Sequence, residues 1–381
     1  MKKPGRPLSI AIDALGIDKP GGARTATLFL FEKVVQLMPD WHFTFYLSSF
    51  ESFLDWENVS QVILPFHKGI VARVLFQVYL IFDLLFRKVD LIHFSKSQAS
   101  FVWGKKVVFT IFDMTTLKHP QQFSSIAVTY WRTIQSWMAR RADAVVTISE
   151  DAARDISSVY DLSKDNVHPI HLASQFDGWA EPVRGDIKRV INEYQLPPRY
   201  FLYIGLLAKK KNLATLIRAI EILKINGTNF GQLLLVGPKY SADEAAELLL
   251  MIRQLDLEKQ IRYLGELESF DLHIILSQAF CLLLPSMHEG FGIPALEAIQ
   301  LGVPIIASKV SAMPEIIGEG GLLINEFMNP TAWADAVQKL YTDGDLRKRL
   351  ITAGSKQSVV YSWEKSAKKL ISLYIELLEK P

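Results

Sequence analysis

Short runs of consecutive apolar, largely β-branched residues alternate with helical segments along almost the whole chain, and this alternation restricts the fold more than any other feature. LSIAID (8–13), HFTFYLS (42–48), QVILPF (61–66), DLIHFS (90–95), KVVFTIFD (106–113) and DAVVTIS (143–149) read as strands. Strands apolar on both faces and separated by helices are parallel strands covered on both sides. Helices are predicted over Thr25–Leu37 and about Ser125–Arg141. The pattern breaks at FDGWAEPVRGD (176–186), a polar stretch with Gly and Pro that reads as a linker. After a short helix, Asp186–Tyr194, it restarts. YFLYIG (200–205), QLLLVG (232–237), IRYLG (261–265), FCLLLP (280–285), PIIAS (304–308) and GLLI (321–324) are strands, with helices from Leu213, Ala242 and Pro294. The expectation is an α/β protein of two Rossmann-like, doubly wound parallel-sheet domains, 1–180 and 195–361, facing across a cleft. Clefts between domains are the usual ligand sites.

At 381 residues the length suits two domains. Lys and Arg number 42 against 40 Asp and Glu. That balance lacks the basic surplus of a nucleic-acid binder. The single cysteine, Cys281, excludes an internal disulfide and a multi-cysteine metal site, and suits a reducing compartment. After MKKPGR the apolar run from Leu8 to Ile12 is too short for an export signal, so a cytoplasmic protein is expected. The most apolar segment, Ile70–Phe86, is divided by Arg73, Gln77 and Asp83 and is too short to span a bilayer. It reads either as a core helix with one polar edge or as an apolar flank that contacts a membrane or a lipid-like acceptor.

The stretch PSMHEGFGIPALEAIQLGVPIIAS (285–308) carries the most chemistry. A buried strand ends at Pro285, a tight loop Glu289-Gly290-Phe291-Gly292 follows, and Pro294 opens a helix. Unsatisfied N–H groups around Ile293–Leu296 would form an anion site. Glu289 and Glu297 flank it and suit hydrogen bonds from sugar hydroxyls. A first-turn Glu also simply complements a helix dipole. A second loop, after Gly205, carries Lys209, Lys210 and Lys211, with Asn212 placed to cap the helix from Leu213.

The ordered set EGFGIPALEA (289–298), YIGLLAKKKNLATLIRAI (203–220), VGPKY (236–240), YLGEL (263–267), SAMPEIIGEGGLLIN (311–325), ARRADAVVTISE (139–150) and YSWEKSAKKLISLY (361–374) resembles the retaining GT-B glycosyltransferases called family 4 or group 1. The resemblance implies a metal-independent, cofactor-free transfer of a hexose from a nucleotide sugar, most commonly UDP-glucose, to a glycan or lipid-linked acceptor. It assigns Lys210, Lys211 and the helix start at Ile293 to the diphosphate. Glu289, with Gly290, Phe291 and Gly292, would orient the sugar, and Glu297 would bind the ribose. Gly205, Gly237 and Leu264 would border the nucleotide, and Gly21-Gly22 would form a phosphate and acceptor loop. It also implies that 362–381 returns to the first domain. Asp113 is retained at a catalytic position, but Phe112 stands where the family has histidine, and Leu206 replaces a common arginine.

Other readings share these residues. A catalytically weak nucleotide-sugar-binding regulator fits the two departures, and an epimerase fits the fold. GFGIPA also matches a dinucleotide fingerprint, but a lone fingerprint is weak and leaves Glu297 and the lysine turn unused. Asp343-Gly344-Asp345 reads as a turn.

Overall fold

The computed structural model describes residues 6–15, 17, 21–64, 70–96 and 104–379, with the side chains of 70–74 and 122 left aside. Pro65 and Phe66 of the expected third strand, and the last two residues of the chain, lie outside that set. The chain forms two compact units: one comprises the described residues up to Gln175 and from Tyr361 onward, the other Phe176–Val360.

The first unit is built on seven parallel strands. They are β1 (Ser9–Asp13), β2 (His42–Leu47), β3 (Val59–Ile63), β4 (Leu91–Phe94), β5 (Lys106–Thr110), β6 (Ala144–Thr147) and β7 (Val167–Pro169), in the order β3-β2-β1-β4-β5-β6-β7. All four residues of β4 and of β6 are buried, which is why their sequences show no alternation of apolar with exposed polar residues; the polar members, His93 and Thr147, are buried as well. The helix Gly22–Leu37 starts three residues earlier than expected, so Gly22 is helical and only Gly21, at φ 142°, lies in the turn. The C-terminal helix Trp363–Glu379 packs beside it. Trp363 stacks on Phe29 at 5.7 Å and donates to Ser174 O at 2.9 Å. Leu370, Ile371, Tyr374 and Leu377 are buried, at about 1.5–3 kcal/mol for each large apolar side chain. The predicted helix Ser125–Arg141 is present but interrupted by an i→i+5 turn at Trp131–Gln135.

The second unit has six parallel strands: β8 (Tyr200–Ile204), β9 (Gln232–Val236), β10 (Ile261–Gly265), β11 (Cys281–Leu284), β12 (Ile305–Ser308) and β13 (Gly321–Ile324), ordered β10-β9-β8-β11-β12-β13. The short helix expected at Asp186–Tyr194 runs Arg184–Glu193, so it begins inside the expected linker, and it belongs to this unit, where Arg189 and Tyr194 both bond Asp271, at 2.7 and 2.9 Å. Strand order reverses direction between β8 and β11. In such sheets ligands sit at the carboxyl ends of the strands flanking the reversal.

Candidate active site

The reversal in the second unit brings together two segments far apart in sequence. Lys209–Lys211 follows β8 and forms one 3₁₀ turn rather than an open loop. Ser286–Gly290 follows β11. The Met287 N–H donates to Lys210 O at 3.1 Å and ties the two loops by their backbones. Lys211 Nζ donates to Glu289 Oε1 in an ion pair, with 18% and 17% of the two side chains exposed. Ser286 Oγ donates to the same carboxylate oxygen at 2.6 Å. Burial pushes the Glu289 carboxyl up, but the Lys211 charge and the hydrogen bonds from Lys211 and Ser286 outweigh it and leave the pKa below the usual value. Glu289 is therefore an oriented carboxylate, and Lys211 retains two N–H donors beyond this bond.

The lysines have separate settings. Lys209 pairs with Glu247 at 3.0 Å, while exposed Lys210 lies over the Tyr240 ring at 5.4 Å. Asn212 stands at the N-cap position but is left-handed, at φ 53°, and makes no side-chain cap. Its Nδ2 donates to Phe327 O at 3.0 Å, and its Oδ1 accepts from Thr215 Oγ1 at 2.6 Å. The amide nitrogen thus holds the lysine turn to a distant loop, while the oxygen takes the hydroxyl of Thr215 in the first helical turn rather than a backbone N–H.

The helix after the glycine loop runs Ile293–Gln300, with left-handed Gly292 (φ 90°) at its cap and Pro294 one position later than expected. The expected row of open N–H donors is shortened. Pro294 has none, and Ala295 and Leu296 both donate to Gly292 O, at 2.8 and 3.3 Å, so Ile293 remains. Glu297 is only 1% exposed. His288 Nδ1 is 2.7 Å from Ser311 Oγ.

Gly205 and Gly237, the glycines predicted to border the nucleotide, line the neighbouring strand ends. Gly205 N–H donates to Val236 O at 2.9 Å, and Gly237 N–H to Gly265 O at 2.8 Å. A Cβ on Gly237 would lie 2.2 Å from Gly205 O, so the two strand ends touch only because that position carries no side chain. Leu264, the last residue but one of β10, is half-buried. Ser286 and Tyr240 lie within the quoted stretches 285–308 and 236–240, but the sequence gives neither a role. Ser286 adjoins the glutamate loop, but nothing local signals its contact with Glu289.

Two family descriptions match the chain. Glycosyl transferases group 1 covers residues 186–357, and Glycosyltransferase Family 4 covers residues 40–173. The chain belongs to the group 1, family 4 glycosyltransferases. Among its relatives is O-antigen chain mannosyltransferase B of Escherichia coli, 28% identical over 71% of this chain and 70% of that protein. The D-inositol 3-phosphate glycosyltransferase of Corynebacterium glutamicum is 26% identical over 64% of this chain, which spans 59% of that protein's length. Sucrose-phosphate synthase from Thermosynechococcus elongatus superposes with a TM-score of 0.80 at 20% identity, covering 98% of this chain and all of that one. Anabaena Alr3699/HepE in complex with UDP-glucose gives 0.76 at 16% identity, over 96% and 100%. Together with the two parallel sheets, these likenesses establish the GT-B fold.

In the first unit of this glycosyltransferase, Asp113 lies three residues beyond β5, where its Oδ1 accepts from the Thr115 N–H at 2.8 Å. Phe112 lines a small cavity with Thr27, His93, Ser95 and Thr110. The imidazole in that cavity, His93, is 1% exposed and held between Tyr374 Oη and Thr110 Oγ1, the latter at 2.6 Å. Burial lowers its pKa to about 3, so it stays neutral. Through Tyr374 it tethers the C-terminal helix.

Proposed function

We propose that the protein is a retaining hexosyltransferase. It moves a sugar, with glucose from UDP-glucose as the first donor to test, to a hydroxyl of a glycan or lipid-linked acceptor in envelope or extracellular polysaccharide synthesis. The observation that carries this reading is the Lys211–Glu289 pair at the strand-order reversal of the second sheet. A cation beside an oriented carboxylate suits a ligand with a diphosphate at one end and hydroxyls at the other. Lys211 and Lys210, with the Ile293 N–H, hold the diphosphate. Glu289 and the Phe291–Gly292 backbone take the sugar, and Glu297 is the ribose residue. Asp113 and the Gly21 turn serve the acceptor.

In the reaction the anomeric C–O bond to the diphosphate breaks and the acceptor oxygen bonds to the same face of that carbon. The acceptor proton passes to a diphosphate oxygen. The side chains contribute position and charge stabilisation of the leaving group, both large terms in catalysis. No step is assigned to a metal or other cofactor, and the reaction is placed in the cytoplasm. The resemblance to a mannosyltransferase makes a mannosyl donor the second to test.

A screen of UDP-, GDP- and ADP-sugars, with nucleotide release measured with and without acceptors, tests the reading. Acceptor-dependent release and an unchanged anomeric configuration in the product are expected. Nucleotide-sugar binding without release would favour the regulatory alternative, and a changed sugar without an acceptor would favour epimerisation.

A further inference from the structure

The helix Ile70–Phe86 presents two unlike faces. Phe76, Leu80 and Leu84 are buried against the first sheet. Asp83 accepts hydrogen bonds from Tyr46 Oη at 2.5 Å and Arg87 Nε at 2.8 Å. Away from that core, Leu75, Val78, Tyr79, Phe82, Leu85 and Phe86 are all exposed, from 40% for Tyr79 to 85% for Phe86. At 3.6 residues per turn these six occupy an arc of about 120° and a length of about 17 Å. Apolar residues scattered singly on a surface are ordinary, but a continuous stripe of this kind marks an interaction site.

The segment Thr115–Arg141 shares the same buried cluster through Met138 and Ala139, so it lies on the same side of the sheet. Its outer surface is also apolar, with Ile126, Ile134 and Trp137 exposed. It contains Lys118, Arg132, Arg140 and Arg141 and no Asp or Glu. Arg132 is exposed, and Arg141 lies over the Trp137 ring at 4.9 Å. Exposed Lys88 follows the apolar helix. Lys118 is paired with Asp155 and Arg140 donates to Tyr160 O, which leaves Lys88, Arg132 and Arg141, among the described residues, as the exposed cations open to a partner on this face.

We propose that this face docks on an anionic lipid bilayer. The Leu75–Phe86 stripe lies at the acyl boundary, Tyr79 and Trp137 sit at headgroup level, and Lys88, Arg132 and Arg141 meet the lipid phosphates. An apolar stripe bordered by aromatic and basic residues is the composition of interfacial helices. A two-fold contact with a second copy would set the same arginines against each other, which the charge opposes. The contact involves none of the donor-site residues and stands apart from the transfer reaction.

Co-sedimentation of the full chain with vesicles tests it. Phosphatidylcholine vesicles containing phosphatidylglycerol should retain the protein, and phosphatidylcholine alone should retain it about tenfold less, with binding falling as salt rises. Phe82→Ser with Phe86→Ser should weaken binding about tenfold or more. Arg132→Gln and Arg141→Gln, both at exposed positions that leave the core intact, should each weaken it about fivefold. UDP-sugar binding should be unchanged in all. No retention on the anionic vesicles would overturn the proposal, as would equal retention of the arginine variants. A dimer lost on Phe82→Ser with Phe86→Ser, without vesicle binding, would assign the face to a second copy and also overturn it.

Discussion

Lys211 and Glu289 lie 78 residues apart in the chain and share a hydrogen bond in the folded protein, with Ser286 completing the carboxylate's partners. Glu289→Gln should lower kcat about a hundredfold or more while leaving UDP affinity within a few-fold, because its proposed role is with the sugar. Steady-state kinetics beside calorimetry check both halves of that statement. Lys211→Ala should weaken UDP binding by about tenfold or more, since it removes a charge-assisted contact. It should also lower the melting temperature, because Glu289 is then left partly buried without its cation. Asp13 offers a pH test. Burial raises its pKa to about 7, against the lowering effects of the Leu15 N–H and the Lys96 charge. Its folded pKa exceeds the unfolded value, so its contribution to stability falls as pH rises from about 4 to 7. Asp13→Asn should therefore gain stability relative to the native chain over that window, by up to about 4 kcal/mol, in denaturant titrations at pH 5 and pH 8. An advantage that does not grow with pH would contradict the assignment.

At the scale of elements, most strands were legible as short, largely apolar runs, and the parallel arrangement followed from the helices between them; β7 was not, because it is three residues long and two of them are His168 and Pro169. The glutamate loop and lysine turn were legible as motifs. The detail inside them was not, because it depends on contacts between residues distant in sequence. Asn212 looks like a helix cap, yet the backbone turns left-handed and the amide reaches Phe327 instead. The helix start at Ile293 looks like a row of open donors, yet Gly292 O takes two of them. Nor did the sequence settle which side of Ile70–Phe86 faces the core, since the helix is apolar nearly all round. The two loop glycines separate strain from collision. Gly292→Ala would meet the mobile end of Met313, at 2.1 Å from its Cε, and would mainly suffer the positive φ, at about 1–2 kcal/mol. Gly237→Ala would meet the backbone of Gly205, which cannot move aside as cheaply. Thermal melting should show the larger loss for Gly237→Ala.

At the scale of the molecule, the family fixes a transferase on a GT-B fold, and the substrates are what this chain's own residues must select. The reading places the charge of the diphosphate on lysines and backbone N–H groups, so transfer should survive EDTA within about twofold. A loss restored by a divalent cation would contradict that account of the leaving group. The most direct measurement is a crystal structure of the full chain with the nucleotide sugar that gives the largest thermal shift. The diphosphate oxygens should lie about 3 Å from Lys211 Nζ, with a sugar hydroxyl on the Glu289 carboxylate. A ligand bound elsewhere, with the Lys211–Glu289 pair untouched, would contradict the central claim.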